Sequence, residues 1–226
     1  CETGDMVVVH IVNWHDTAGK NPVGKIMEKL NNLSANELEM RTILMQQGFN
    51  IVFPSDVLAE TDKINEKISK HEHSERLDYR EELTFTIDPV DAKDFDDALS
   101  IKPLKNGNFE IGVHIADVAH YVRPGSALDR EAQFRSTSVY LPDRVCPMLP
   151  EKLSNVVCSL RPGEDKCAFS VLFEINEKYE IIEYSFAKTV INSDKRFAYH
   201  EVQEILNNQE GEFFGELEFL NNIAYT

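Results

Sequence analysis

Five aspartates occur within ten residues in the middle of the chain, and together their carboxylates could bind a metal ion. They belong to the segment 86–99, which reads TIDPVDAKDFDDAL. Apolar residues flank this segment on both sides, as strands entering a core do, so we expect the carboxylates to be held close together. Like charges at that density repel, and an ionised carboxylate resists desolvation unless it is paired or coordinates a metal. The segment therefore predicts a hard-cation site, with Mg²⁺ or Mn²⁺ as the natural occupant.

Other interpretations of the acidic segment are simpler. Acidic loops are common, and the aspartates could be solvated or could cap turns. An EF-hand calcium loop is a poor match, because a template beginning at Asp88 has Lys93 in place of the glycine and Leu99 in place of the bidentate glutamate. In an extended segment Asp94 and Asp96 share one face and Asp97 points to the other. The segment must therefore turn or bulge if all of them are to reach one ion.

The composition is that of a folded, acidic protein. The chain has 226 residues, 42% of them hydrophobic, and no apolar run approaches the ~20 residues that a membrane helix needs. A net charge of −16 argues against a general polyanion-binding surface. The four cysteines lack Cys-x-x-Cys spacing, which favours reduced thiols in the cytoplasm over zinc ligands or disulfides. A polar start without Met and an end just after a helix-like run lead us to expect a fragment of a longer protein.

Local patterns predict two strands and two helices in the first part of the chain. Residues 5–12 and 23–28 are β-rich, but two strands cannot bury their own faces, so they are typical of the end of a small barrel. Ser34 begins a capping box and a helix that ends near Gly48. A second helix is predicted from 54 to about 68, and a charged connector follows at 70–80.

From Leu83 onward the pattern predicts an α+β fold with a mixed sheet and packed helices. The turn at Asn106-Gly107 predicts a hairpin between its flanking strands. Ser126 is expected to cap a helix that runs to about Arg135. The other predicted elements are strands at 98–102, 109–115, 167–175 and 181–190, and helices at 199–206 and 213–223.

The acidic segment and three later stretches together resemble the RNB domain of the ribonuclease II and ribonuclease R exoribonucleases. The later stretches agree in order and approximate spacing: GVHIADVAHYV from 112, SVYLPDR from 138, and PMLPEKLS from 147 running on to CSLRP at 158. The sequences of these motifs are closer to those of the ribonuclease R branch. The resemblance covers essentially the whole chain. It implies the C-terminal part of a cold-shock (OB-type) domain at 1–33, a helical connector at 34–82 and the N-terminal half of the RNB domain at 83–226.

The resemblance implies a metal-dependent exoribonuclease that degrades RNA processively from the 3′ end to nucleoside 5′-monophosphates. Two Mg²⁺ or Mn²⁺ ions ~4 Å apart can activate a water and stabilise the leaving 3′-oxygen. Asp91 has no counterpart in the family pattern. Four aspartates match the active-site acids by position: Asp88, Asp94, Asp96 and Asp97. We expect Asp88 and Asp97 to hold a structurally fixed ion and the other two to complete a second site, with Asp96 as the most costly loss.

Two tyrosines and several cations complete the RNA site that the resemblance implies. Tyr140 matches a catalytic and RNA-binding tyrosine near the scissile end, and Tyr199 matches, less closely, one that holds the 3′-terminal nucleotides. Candidates for phosphate contact are Lys152, Arg161, Lys195 and Arg196. We expect His114, Asp117 and His120 to orient the loop beneath the aspartates, because imidazole is a poor Mg²⁺ ligand.

The partner implied is the 3′ end of single-stranded RNA, bound by a cytoplasmic monomer without a membrane. The family completes its active site with residues from the second half of the RNB domain, so the fragment is expected to be inactive alone. The alternative is a catalytically silent RNA-binding or scaffold protein on the same fold. Silent relatives should have lost some of the acids, and all four are present here. A purely structural acidic domain would bind no metal specifically.

Overall fold

The computed structural model describes residues 1–14, 19, 21–30, 33–49, 51–142 and 144–225. The backbone divides into two compact units, Cys1–Val52 with Tyr140–Cys146, and Phe53–Val139 with Pro147–Thr226. Part of the predicted turn at 16–22 and Asp143 of the SVYLPDR stretch lie outside the described residues. Across the described ranges, none of the helices is long and apolar enough to cross a membrane.

Helices and strands alternate along most of the chain. The helices are α1 Ala35–Gln46, α2 Ser55–Asp62, α3 Lys70–Ser74, α4 Val118–Tyr121, α5 Ala127–Arg135, α6 Tyr199–Asn208 and α7 Phe214–Ala224. The strands are β1 Val7–Asn13, β2 Val23–Lys29, β3 Leu77–Tyr79, β4 Thr84–Asp88, β5 Asp97–Pro103, β6 Phe109–Ala116, β7 Val139–Tyr140, β8 Val145–Cys146, β9 Asp165–Ile175, β10 Ile181–Asn192 and β11 Lys195–Ala198. A π-helical turn spans Lys152–Val157.

The first unit contains the antiparallel pair β1 and β2, followed by α1. Ser34 caps α1 by accepting a hydrogen bond from the Glu37 amide at 3.1 Å, as its sequence predicted. Arg41 ties the helix to the ladder, since its guanidinium donates to Glu37 at 2.7 Å and to Glu28 of β2 at 2.6 Å. Apolar side chains of both strands, such as Val9, are exposed, in line with the expectation that two strands cannot bury their own faces.

The second unit is built on a seven-stranded mixed sheet in the order β11-β4-β5-β6-β9-β10-β3. The outer pairs β11–β4 and β10–β3 are parallel, and the central pairs are antiparallel. The predicted hairpin of β5 and β6 is confirmed, with Ser100 opposite Gly112 and with Gly107 at a φ of 89° in the turn. Both long C-terminal strands and both final helices are also confirmed, with ends shifted by at most two residues.

Side chains that alternate along β4 pack against different layers on the two faces of the sheet. Phe85 points to the face covered by α6 and α7, where its ring lies 5.7 Å from that of Phe197 and 6.2 Å from that of Phe213. The opposite face is covered by a larger core that includes Leu128 of α5 and Leu153 of the π-helical turn. This double cover buries the centre of the sheet.

A ladder of buried polar side chains crosses four neighbouring strands of the sheet. His114 Nε2 lies 2.8 Å from the Ser100 hydroxyl and Nδ1 lies 2.6 Å from that of Ser170, which in turn contacts Thr189 at 2.7 Å. Gly112 makes room for the ladder, because a Cβ there would lie 2.3 Å from Ser100 Oγ. The ladder satisfies His114 inside the sheet, so the prediction that this histidine orients the acidic loop was wrong.

Lowering the pH is expected to destabilise the second unit through His114. Burial lowers the pKa of His114 to about 4, against about 6.5 in an unfolded chain. Below pH ~6.5 the unfolded chain binds a proton that the folded chain does not, so the free energy of unfolding falls by about 3 kcal/mol by pH ~4. Urea unfolding of the wild type and of His114→Gln across this range checks it. The difference between the two curves isolates the histidine from the carboxylates, and identical pH slopes would contradict the prediction.

Two local predictions in the middle of the chain were wrong. The helix predicted from 54 to about 68 ends at Asp62, because the Asn65 side chain accepts from the Lys67 amide at 3.0 Å and favours a turn. The charged stretch 70–80 is not a plain connector, since it forms α3 and the edge strand β3. The three-part domain division at 33 and 82 stays a prediction.

Candidate active site

The acidic segment connects the end of β4 to the start of β5. Asp88 is the last residue of β4 and Asp97 is the first of β5, so residues 89–96 form the loop between two adjacent strands. Because both strands are clamped in the covered part of the sheet, their ends are fixed relative to one another. The sequence therefore places carboxylates at both ends of a short, rigidly anchored loop.

Backbone hydrogen bonds fasten the loop from beneath. The buried Ser159 hydroxyl donates to the Lys93 carbonyl at 3.0 Å and accepts from the Phe95 amide at 3.1 Å. Leu160 donates to the Phe95 carbonyl at 2.8 Å, and Ala116 donates to the Asp96 carbonyl at 2.9 Å. Ser159 lies more than sixty positions away in sequence. Sequence reasoning placed it in the CSLRP stretch but gave no signal for this role.

Asp88 carries a buried carboxylate with an unused oxygen. The residue is 7% exposed, and its Oδ2 has no hydrogen-bond partner among the described residues. Burial, the largest cause, raises the pKa of Asp88, and the charges of Asp97 and Asp94 raise it further. The Thr86 hydroxyl lowers it, although the geometry of that pair falls short of a hydrogen bond. A buried carboxylate oxygen without a hydrogen-bond partner is energetically costly, and a bound cation would remove that cost.

The pKa of Asp96 is raised by the same causes as that of Asp88. Loss of solvation around its carboxyl is the main cause that raises the pKa of Asp96, even though the residue keeps an exposed surface. The charges of Asp94, Asp97 and Asp88 raise this pKa further, in that order. Asp94 and Asp97 thus act on both Asp88 and Asp96, so the four predicted acids form one electrostatically coupled group. Asp91 contributes to neither pKa shift and is exposed.

The four acids offer the ligand type that a hard divalent cation prefers, but their carboxylate oxygens are farther apart than in a bound site. Their donors are all carboxylate oxygens, which suit Mg²⁺ or Mn²⁺, and a cation would relieve both the mutual repulsion and the unpartnered oxygen of Asp88. Over the described ranges, no three of these carboxylates have ligand atoms all within 4.8 Å of one another. Binding an ion would therefore require the carboxylates to move closer together.

Arg196 is the cation nearest to this loop among the predicted phosphate contacts. It lies on β11, donates to the Pro89 carbonyl, and its guanidinium lies 5.6 Å from the centre of the Phe95 ring. Its charge lowers the pKa of Asp88, and its buried Nε has no hydrogen-bond partner within the described part of the chain. Arg196 is therefore held at the edge of the acidic loop with donor capacity left over.

The other predicted cations bind neighbouring groups. Lys152 Nζ donates to the Asp62 carbonyl at 3.0 Å, and Arg161 forms an ion pair with Glu164 at 3.0 Å. Lys195 pairs with Glu212. A phosphate would have to compete with these partners, which makes Arg196 the strongest of the four candidates.

The two predicted tyrosines fall in different units. Tyr199 is the first residue of α6, and it follows Ala198, which pairs with Asp88 in the β11–β4 ladder. Its side chain is 60% exposed, so an exposed ring begins at the same end of the sheet as the acidic loop. Tyr140 belongs to the first unit and is 66% exposed.

Asp117 and His120, which were predicted to support the loop, contact other groups. Asp117 binds Arg76 at 2.7 Å, and His120 binds Glu72 at 2.7 Å. The loop is supported instead by the backbone of Ala116 and by Ser159. Of the two residues that hold the loop, Ala116 is the sequence neighbour of the predicted Asp117, and Ser159 lies far from the predicted residues in sequence.

Comparison with known proteins identifies the parts of the chain. Residues 76–224 match the RNB domain, and residues 1–54 match a cold shock domain. Ribonuclease R 2 of Lactococcus lactis is 42% identical over 208 residues, which are 92% of this chain and 31% of that protein. The chain thus spans about a third of the length of this curated relative. The α+β class, with a mixed sheet preceded by a cold-shock (OB-type) region, is confirmed.

Solved structures agree with this assignment. RNase R of Mycoplasma genitalium in complex with ribose-methylated single-stranded RNA is 30% identical, with a TM-score of 0.75 over 84% of this chain and 30% of that one. The same enzyme in complex with double-stranded RNA gives a TM-score of 0.78 at 28% identity over 92% of this chain and 37% of that one. Yeast Ssd1, described as a pseudonuclease, is 21% identical with a TM-score of 0.72 over 98% of this chain and 28% of that one, and shares the fold.

Proposed function

The chain belongs to the RNB domain family, and from this premise we propose that it forms part of a metal-dependent exoribonuclease that degrades RNA from the 3′ end to nucleoside 5′-monophosphates. The observation that carries the proposal is the set of four electrostatically coupled aspartates at the ends of β4 and β5 and in the loop that joins them. Ribonuclease R relatives that align with nearly the whole chain support the reaction class.

The four aspartates would together coordinate divalent metal ions. When bound, Mg²⁺ or Mn²⁺ supplies an activated water and charge stabilisation for the departing 3′-oxygen. Asp88 is fixed at a strand end with a free buried oxygen, which supports its assignment, with Asp97, to the structurally fixed ion. Asp94 and Asp96 complete the second position. The Asp96 side chain takes no hydrogen bond or ion pair from the described residues, so its carboxylate is free for ligation.

The remaining residues of the site bind and orient RNA. Arg196 approaches the loop with an unpartnered Nε, so its guanidinium is suited to a phosphate oxygen. Tyr199 offers an exposed ring on which a terminal base can stack, and Tyr140 is assigned the same kind of contact near the scissile bond. The proposed partner is the 3′ end of single-stranded RNA, engaged processively by a monomer in the cytoplasm.

A degradation assay on the protein that contains this chain tests the proposal. A 5′-labelled single-stranded RNA with a free 3′ end should shorten to a small limit product, and the released species should be nucleoside 5′-monophosphates. Removing divalent metal with EDTA should abolish the reaction, and Mg²⁺ or Mn²⁺ should restore it. A circular RNA of the same sequence is the matched control and should survive. Cleavage of the circle, or activity that EDTA leaves unchanged, would contradict the proposal. That the chain alone is inactive stays a prediction for the same assay.

The alternative is a catalytically silent RNA-binding protein on the same fold. The similarity in fold to the Ssd1 pseudonuclease is the observation that favours it. It predicts RNA binding without metal-dependent shortening. All four acids are present and electrostatically coupled, so calorimetric titration with Mn²⁺ separates the two hypotheses. The nuclease should release or absorb heat as Mn²⁺ binds to the acids, and the silent protein should show no saturable Mn²⁺ binding.

A further inference from the structure

A second group of metal-binding side chains lies away from the acidic loop. Glu72, His120 and Cys167 each offer a ligand atom, and the three atoms lie within 4.8 Å of one another. Glu72 comes from α3, His120 from α4 and Cys167 from β9, so three separate elements converge here. Within the described residues, this is the one group of three or more such side chains that meets that distance.

The chemistry of the three donors differs from that of the aspartates. A thiolate, an imidazole and a carboxylate form a mixed sulfur, nitrogen and oxygen set, which suits Zn²⁺ and is poor for Mg²⁺. Ligand atoms around a tetrahedral Zn²⁺ are about 3–4 Å apart, given bond lengths of about 2.0–2.3 Å. The observed spacing is therefore close to that of a bound site, and small side-chain movements would complete it.

Burial and charge at this group also favour a divalent ion. Cys167 is 2% exposed, while the side chains of Glu72 and His120 are 28% and 14% exposed, which leaves a path to solvent on one side. A thiolate and a carboxylate together neutralise Zn²⁺, and the imidazole stays neutral. The nearby Arg76 is already matched by Asp117 at 2.7 Å, so the bound site would carry no net charge.

We propose that Glu72, His120 and Cys167 form a zinc site that ties α3 and α4 to β9, with a water as the fourth ligand. On binding, the Cys167 thiol releases its proton to solvent, and the His120–Glu72 contact at 2.7 Å opens to admit the ion. The bound ion would cross-link the fold at this point. It links three segments that are 47 and 48 positions apart in sequence and lies outside the reaction assigned to the aspartates.

Cobalt substitution reads the proposed sulfur ligand directly. The chain, stripped of metal and titrated with Co²⁺, should develop a thiolate-to-cobalt charge-transfer band in the near ultraviolet that saturates at one ion per chain. Zn²⁺ should displace the band and raise the unfolding temperature. Ions bound only by the aspartates cannot give this band, so the result is independent of RNA hydrolysis.

Matched variants decide which residues carry the band. Cys167→Ser should abolish it, whereas Cys158→Ser, at a second buried cysteine of the same unit, should keep it. Glu72→Gln, at a partly exposed position, should weaken Co²⁺ binding at least about 10-fold. No band in the wild type, a band that survives Cys167→Ser, or one lost in Cys158→Ser would overturn the site in favour of a plain His120–Glu72 contact beside a buried thiol.

Discussion

Replacing Asp96 with asparagine is expected to slow RNA hydrolysis at least about 100-fold in the protein that contains this chain. The substitution removes one negative charge from the proposed metal ligand set, and a loss of about 3 kcal/mol of transition-state stabilisation corresponds to that factor. The fold should survive, because the Asp96 side chain takes no hydrogen bond or ion pair from the described residues. Its neutralisation also relieves the repulsion from Asp94, Asp97 and Asp88. Initial rates on labelled single-stranded RNA and the unfolding temperature without metal measure both effects.

Asp91→Asn is the matched control for this prediction. Asp91 lies in the same loop, is exposed and contributes to the pKa shift of neither Asp88 nor Asp96. The control should keep its rate and its affinity for Mn²⁺. If Asp96→Asn degraded RNA at a rate comparable to wild type, the assignment of Asp96 would be wrong. If both variants lost activity equally, the loop as a whole, and not the four matched acids, would be responsible.

The acidic loop was predictable because its signals are local. The aspartates, their apolar flanks and the Asn106-Gly107 turn lie within a few residues of the features they determine, so β5, β6 and their register follow from nearby sequence. The family resemblance then selected four of the five acids. The structure adds what spacing alone could not supply, which is the burial of Asp88 and its unpartnered oxygen.

Contacts between distant segments were not predictable in the same way. Nothing in the sequence around Ser159 indicates that its hydroxyl fastens residues 93–95, because that contact depends on how two remote segments pack. The group of Glu72, His120 and Cys167 was missed for the same reason, since cysteine spacing tests only neighbouring ligands. The early end of α2 was missed because a local side-chain turn at Asn65 overrode the helical pattern.

Replacing Asp117 with alanine is expected to lower the free energy of unfolding by about 3–5 kcal/mol. The Arg76–Asp117 ion pair is deeply buried, with side chains 3% and 7% exposed and 2.7 Å between Nη2 and Oδ2. Without the carboxylate, the Arg76 guanidinium keeps, among the described residues, its bond of 3.3 Å to the Ala168 carbonyl and stays buried as an uncompensated charge. Urea unfolding followed by circular dichroism measures the loss.

Three further variants separate charge from packing at this pair. Asp78→Ala removes the acid of an exposed pair with Arg80, also at 2.7 Å, and should cause a much smaller change, because solvent already screens that pair. Asp117→Asn keeps an oxygen acceptor and should lie between alanine and wild type. Replacing both partners with apolar residues, Arg76→Met with Asp117→Leu, should recover much of the loss, since no charge is then left buried. If the double variant were less stable than Asp117→Ala, the attraction between the two charges would itself stabilise the fold. The loss of unfolding free energy in Asp117→Ala would then not come from leaving Arg76 unpaired.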